Sequence, residues 1–153
     1  MPHNFLEDFM ISSRISHSGH VQYCTGEEGG ILKSLARFKP ADAFVLIGLT
    51  NEDLFPTQNR DFCFGQALQE QGVGAFSFHR YDPKFEQYVD QEEISDTEIM
   101  MRFCHVMVHE ITHMFGLRHC IYYECLMNGM ISAKEQRQCG IKTLCPICLK
   151  KLK

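Results

Sequence analysis

The sequence has no excess of basic charge: 15 Lys+Arg stand against 19 Asp+Glu, a formal charge of −4 over 153 residues. That balance argues against nucleic acid or an anionic membrane surface as a principal partner, since both need a basic field. No long apolar run is present. The longest, Ala43 to Leu49 around Gly48, falls far short of the ~20 residues that span a bilayer. The stretch from Met1 to Asp8 lacks a basic n-region and an apolar h-region. It therefore reads as non-secretory and predicts an intracellular location, cytoplasmic or nuclear. Internal repeats and low-complexity tracts are also missing. What remains, 44% hydrophobic and 22% charged residues, is ordinary for one globular domain able to bury about 68–70% of its unfolded surface. Residues 1–153 are read as that single domain.

Eight cysteines and eight histidines are the conspicuous presence. Without a secretory leader, cysteines point to thiolate or metal chemistry rather than disulfides. Cys24, Cys63 and Cys104 are scattered, whereas Cys120, Cys125, Cys139, Cys145 and Cys148 crowd the last 34 residues. The first 26 residues mix Ser, His and Gly with little periodicity and are expected to form a poorly ordered lead-in. Helical spacing of Ile31, Leu32, Leu35 and Phe38 predicts a helix over 27–38, stopped by Pro40. The apolar run 42–48 predicts a strand buried on both faces. Residues 50–59 read as turn, 61–67 as a second strand, and 75–81, alternating by two, as an edge or half-exposed strand closed by Asp82-Pro83. Ser95 and Glu98 form a capping box for a long helix. Along it Met100, Phe103, Cys104, Met107, Ile111 and Met114 share an apolar face, with His109 and His113 opposite. Gly116 offers the left-handed position that ends it.

Residues 109–119 read His-Glu-x-x-His-x-x-Gly-x-x-His. Histidines four apart on a helix project side by side, so two imidazoles can reach one zinc. Gly116 lets the chain swing His119 back as a third ligand. Three protein ligands leave a position open for water, the mark of a catalytic rather than a structural site. Glu110, rotated around the helix, can take that water's proton as general base. His-Glu-x-x-His alone arises by chance in roughly one of several hundred chains this long, and the added Gly and His make the full pattern far rarer. His105, one turn before His109, reads as a polar-face histidine near the cleft. Beyond the helix, Cys120 and Cys125, then Cys145 and Cys148, can supply four thiolates to a closed tetrahedral zinc site. The alternatives are buried free thiols or a redox Cys-x-x-Cys, which lacks a thioredoxin-like context here. Cys139 is the odd one out.

From His109 to Cys148 the chain reads HExxHxxGxxHCx4CxMx17CxxC, which resembles the archaemetzincins, a compact branch of the metzincin zinc peptidases. Residues 42–50, Asp53-Leu-Phe-Pro and Phe62-Cys-Phe-Gly also look like that family's strand regions. The resemblance implies a compact α+β catalytic domain of three layers: a mixed sheet packed on helices, a long zinc-binding helix, and a C-terminal four-cysteine zinc knuckle. By it, residues 95–119 are the active-site helix and third ligand, and 120–153 the Met-turn and structural-zinc region. His109, His113 and His119 would bind catalytic zinc and Glu110 would be the base. Cys120, Cys125, Cys145 and Cys148 would hold a second zinc, and Met127 would be the Met-turn residue. Family domains typically begin with a strand and a helix ahead of the segment resembling 14–38, so this chain reads as an N-terminally truncated form.

The leading expectation is therefore a zinc metallopeptidase with two zinc ions and a peptide or protein substrate. The peptide is expected to lie against 75–81, with His79 and Tyr81 near the cleft, and Tyr122 or Tyr123 as oxyanion candidates. The competing expectation is a two-zinc binding or scaffold protein inactivated by truncation, against which the intact Glu110 argues. Nucleic-acid binding through a cysteine knuckle has only the tail Lys150, Lys151 and Lys153 in its favour.

Overall fold

The computed structural model describes residues 5–26, 29–81, 85, 95–129 and 143–152. A short helix α1 (Phe5–Asp8) leads into strands β1 (Ser13–Ile15) and β2 (Val21–Cys24), helix α2 (Ile31–Phe38), and strands β3 (Leu46–Thr50) and β4 (Asp53–Phe55). Strands β5 (Gly65–Leu68) and β6 (Val73–Ser77) follow, then the long helix α3 (Asp96–Met114) and a C-terminal helix α4 (Pro146–Lys151). The strands form two three-stranded sheets, each mixed. In one, β1 runs antiparallel to β2 and β2 parallel to β4; in the other, β3 runs parallel to the central β6 and β5 antiparallel to it.

Two glycines show how the second sheet is layered. A side chain on Gly48 would meet Leu35 of α2 at 3.0 Å, and one on Gly74 would meet Met114 of α3 at 2.6 Å. Gly48 pairs with Ala75, the neighbour of Gly74, so the two glycines face opposite ways. The sheet is therefore the middle of three layers. Leu35, Val73 and Ala75 pack on the α2 side with Ile11, Ile31, Leu32 and Leu54. Phe76, Tyr81 and Phe103 pack on the α3 side. The two sheets are joined by a buried polar knot. Asp53 on β4 accepts from Arg80 at 2.6 and 2.8 Å and from Gln22 on β2 at 2.8 Å. The Arg80 guanidinium lies 3.7 Å over the Phe62 ring. No described helix is long and apolar enough to cross a membrane.

Several expectations are corrected. Residues 5–26 are not an unstructured lead-in: they contribute α1, β1 and β2, with Ile11, Gln22, Cys24 and Thr25 buried. Gln22 disguises a core strand because its amide is satisfied by Asp53, a contact 31 residues away. The helix expected over 27–38 spans 31–38, starting after Gly30, which stands at its N-cap. The strand expected at 42–48 lies at 46–50 and is only half-buried, with Phe44 and Leu49 exposed. The turn-rich stretch 50–59 hides β4, all three of whose residues are buried. The second strand starts at Gly65 rather than Asp61. Residues 75–81 do not form an edge strand. They begin inside the central strand, β6, whose five residues are all buried, and end in a 3-10 turn at 79–81. The apparent alternation came from Ala75 and Ser77, small residues set between Phe76 and Phe78, and not from exposure of one face. Asp82-Pro83 lies outside the described residues, as does Cys139.

Candidate metal centres

Helix α3 begins as its sequence demands: Ser95 is the N-cap and its hydroxyl accepts from the Glu98 amide at 3.3 Å. Phe103 and Met114 anchor the helix in the core, while Met100 is half exposed at the end of the apolar face. Gly116 adopts φ +86° and ends the helix. The chain then turns back, and His109, His113 and His119 converge with their ligand-type nitrogens within 4.8 Å of one another. His105 is not part of that group.

Two of the rings are fixed by backbone carbonyls. Nδ1 of His109 lies 2.7 Å from the Leu126 carbonyl and Nδ1 of His113 lies 2.6 Å from that of Leu117. A carbonyl only accepts, so both Nδ1 atoms carry the proton and both Nε2 atoms present lone pairs. Those Nε2 atoms stand 3.1 Å apart. Two lone pairs so close repel unless a cation lies between them, and a divalent metal bound by neutral imidazole fits that requirement. Burial holds the His109 ring neutral, its pKa lowered to about 4. Glu110 is not in the cluster. Burial raises its carboxyl pKa while His113 opposes the rise. It lies close enough to Cys63 that its charge adds to the burial that pushes that thiol up to about 12.

The four cysteines form a second, separate cluster. Their Sγ atoms all lie within 4.8 Å of one another, and those of Cys120 and Cys145 are 3.8 Å apart. A disulfide would need about 2.05 Å; a tetrahedron with metal–sulfur distances of ≈2.3 Å has edges of about 3.8 Å. Amides of Met127 and Cys145 donate to Cys125 Sγ at 3.5 and 3.3 Å, and that of Cys148 to Cys145 Sγ at 3.5 Å. Amides of Tyr122 and Tyr123 lower the Cys120 thiol to about 7, while burial and the neighbouring thiols push Cys148 up to about 12. Sulfurs this crowded ionise together only around a cation. Met127 is fully buried against these cysteines, and its carbonyl accepts from the Cys120 amide at 2.7 Å.

Other expected residues fall elsewhere. Tyr81 is buried in the core against Phe64 and Phe103. His79 bonds the Asn51 carbonyl at 2.8 Å beside His20 and Phe85. Tyr122 and Tyr123 are exposed. Reading the residues alone missed Leu117 and Leu126, which act through carbonyls that every residue possesses. It also missed Gly129, where a side chain would come within 3.1 Å of His119 Nδ1.

Fold and site together define a class of compact α+β domains in which two histidines on a helix and a third beyond its end form one cluster and four cysteines another. Solved structures of similar fold include a zinc-dependent peptidase from Methanocorpusculum labreanum, with a TM-score of 0.65 and 26% identity over 80% of this chain and 72% of that one. Another is archaemetzincin from Methanopyrus kandleri, at 0.62 and 25% over 86% and 64%. The chain belongs to Peptidase family M54, whose family model matches residues 32–153. Archaemetzincin-2 of Homo sapiens is 39% identical over 145 residues, covering 81% of this chain and 40% of that protein. Archaemetzincin-1 of Homo sapiens is 34% identical over 146 residues, covering 80% and 29%. The chain thus spans about 40% of the length of the first of these relatives and less of the second.

Proposed function

We propose that this chain is a zinc-dependent peptidase domain that hydrolyses peptide bonds in peptide or protein substrates. The observation that carries the reading is the pair of Nε2 lone pairs 3.1 Å apart, each set by a carbonyl behind the ring, with His119 completing the group. His109, His113 and His119 would hold the zinc, and Cys120, Cys125, Cys145 and Cys148 a second, structural zinc. Zinc held by three neutral imidazoles supplies Lewis acidity, acidifying water and polarising a carbonyl. Glu110 would accept the proton from that water on its carboxylate and return it to the leaving amine nitrogen. A partly buried carboxylate with a raised pKa is suited to both transfers. Met127 and the turn that carries it would support His109 through the Leu126 carbonyl. With β6 in the sheet interior, the antiparallel edge strand β5 is our candidate to pair with an extended substrate, since Cys63, two residues before it, is near enough to Glu110 to feel its charge.

The test is a peptide-library digest by wild-type protein and by Glu110→Ala, each with its zinc content measured. The variant should keep its zinc and its melting temperature while losing at least 100-fold in turnover, because a general base acts on the transition state and not on the metal. Wild-type turnover in Glu110→Ala would remove the role assigned to this carboxylate. A zinc-loaded wild type that cleaves nothing would remove the peptidase reading.

A further inference from the structure

The three imidazoles are not held alike. His109 and His113 each donate from Nδ1 to a carbonyl, whereas the His119 ring makes no hydrogen bond among the described residues. Its position must come from its backbone and from the surface it rests on. The next residue, Cys120, is fixed at both backbone groups. Its amide donates to the Met127 carbonyl at 2.7 Å, and its carbonyl accepts from Asn128 Nδ2 at 2.8 Å. The same Nδ2 donates to the Tyr123 carbonyl at 2.9 Å, and Asn128 Oδ1 accepts from the Cys125 amide at 2.9 Å. One step on, Gly129 lies under the His119 ring: a Cβ there would stand 3.1 Å from Nδ1 and 3.4 Å from Cε1, tight enough to push the ring by a few tenths of an ångström.

Residues 120–128 run without helix or strand, so their backbone groups need partners from side chains or water. A primary amide offers two N–H donors and an acceptor on one short stem, which answers all three groups at once. Aspartate could keep the Cys125 contact but would lose both donors. Alanine would lose all three.

We propose that Asn128 is the positioning residue of the third imidazole: it locks the Cys120 carbonyl, and with it the backbone of His119, while Gly129 sets the height of the ring. The proposal rests on the reading of His109, His113 and His119 as zinc ligands and does not depend on peptide cleavage.

The full chain is loaded with zinc alone, and affinity at the imidazole cluster is measured by competition with a chromophoric chelator. In parallel, alkylation of the cysteines reports whether the thiolate cluster stays closed. Loss of a group that orients a metal ligand costs about 10–100-fold in affinity. Asn128→Asp and Asn128→Ala should therefore each weaken zinc at the imidazoles by at least 10-fold, with the four thiols still protected. Saturating zinc should restore occupancy in both variants, since the third ring is displaced rather than absent. Gly129→Ala, which pushes the ring directly, should do the same with every Asn128 contact intact. Wild-type affinity in a folded Asn128→Ala overturns the proposal. So does an affinity loss seen only together with exposed thiols, which would make Asn128 a structural part of the cysteine cluster, and so does failure of both Asn128 variants to fold. A wild type that binds no zinc at its imidazoles would overturn the ligand reading itself, and this is apparent before any variant is made.

Discussion

Which nitrogen of His109 and of His113 faces the cluster is decided by the carbonyls of Leu126 and Leu117. That His109, His113 and His119 converge was legible in the sequence, because four residues on a helix and a glycine after it are arithmetic. Their supports were not legible. A carbonyl belongs to every residue, and only the fold selects the two that matter. The same holds for Asp53, which reads as one acid in a turn-rich stretch and is a buried charge bonded to Arg80 and Gln22. Buried charges are tolerated only when matched, so Asp53→Ala should cost about 3–5 kcal/mol by leaving Arg80 buried without its carboxylate. Urea denaturation measures this. A loss below about 1 kcal/mol would mean that the knot contributes little. Replacing Asp53 and Arg80 together by Leu and Met should recover much of the loss, since two apolar groups need no matching.

Among the elements, α3 was legible end to end. Ser95, the apolar period and Gly116 all state the same boundaries, and the helix occupies 96–114. The strands were much less so. They are three to five residues long, and most pair with partners that do not follow them directly in the chain: β2 pairs with β4, and β3 with β6, past β4 and β5 in sequence. Short strands carry too few residues for a period to emerge, and burial on both faces erases the alternation altogether. Where an element's end rests on one residue, the claim can be tested. Gly116 has φ +86° and nothing within 4 Å of where a Cβ would stand. Its replacement thus meets a backbone penalty without a clash. Gly116→Ala should lose about 1–2 kcal/mol in chemical denaturation, and Gly116→Asn distinctly less, because asparagine tolerates the left-handed region. Equal losses for both would show that crowding rather than backbone conformation sets the requirement.

Across the whole molecule the core is of two kinds. Around the central sheet it is made of aliphatic and aromatic side chains on both faces. In the C-terminal part it consists of Leu117, Met127 and the four cysteines, with Leu144 against them. Thiols bury little apolar area, so this part would draw its stability from the proposed structural zinc, which in comparable sites supplies on the order of 10–16 kcal/mol. Two of the three imidazoles instead stand on a helix that the sheet already holds. If both clusters bind zinc as proposed, the two ions differ in lability. A mild chelator should take the imidazole zinc first, because three neutral ligands and an open position leave it accessible, and native mass spectrometry should show one ion retained. Hydrogen exchange should then be unchanged in β6 and α2. Removing the second ion, or blocking it with Cys148→Ser, should expose the amides of 117–129 and 143–152 while the sheet stays protected. The damage should also reach the imidazole cluster. Cys120 adjoins His119, and the Leu126 carbonyl that orients His109 lies between Cys125 and Met127. A shift of about 1 Å in such a site can cost ~100-fold in rate, so Cys148→Ser should lose at least that much activity with zinc still on its imidazoles. Loss of both ions in one step, or a Cys148→Ser protein one zinc short yet fully protected and fully active, would show that the cysteine cluster staples only a dispensable tail.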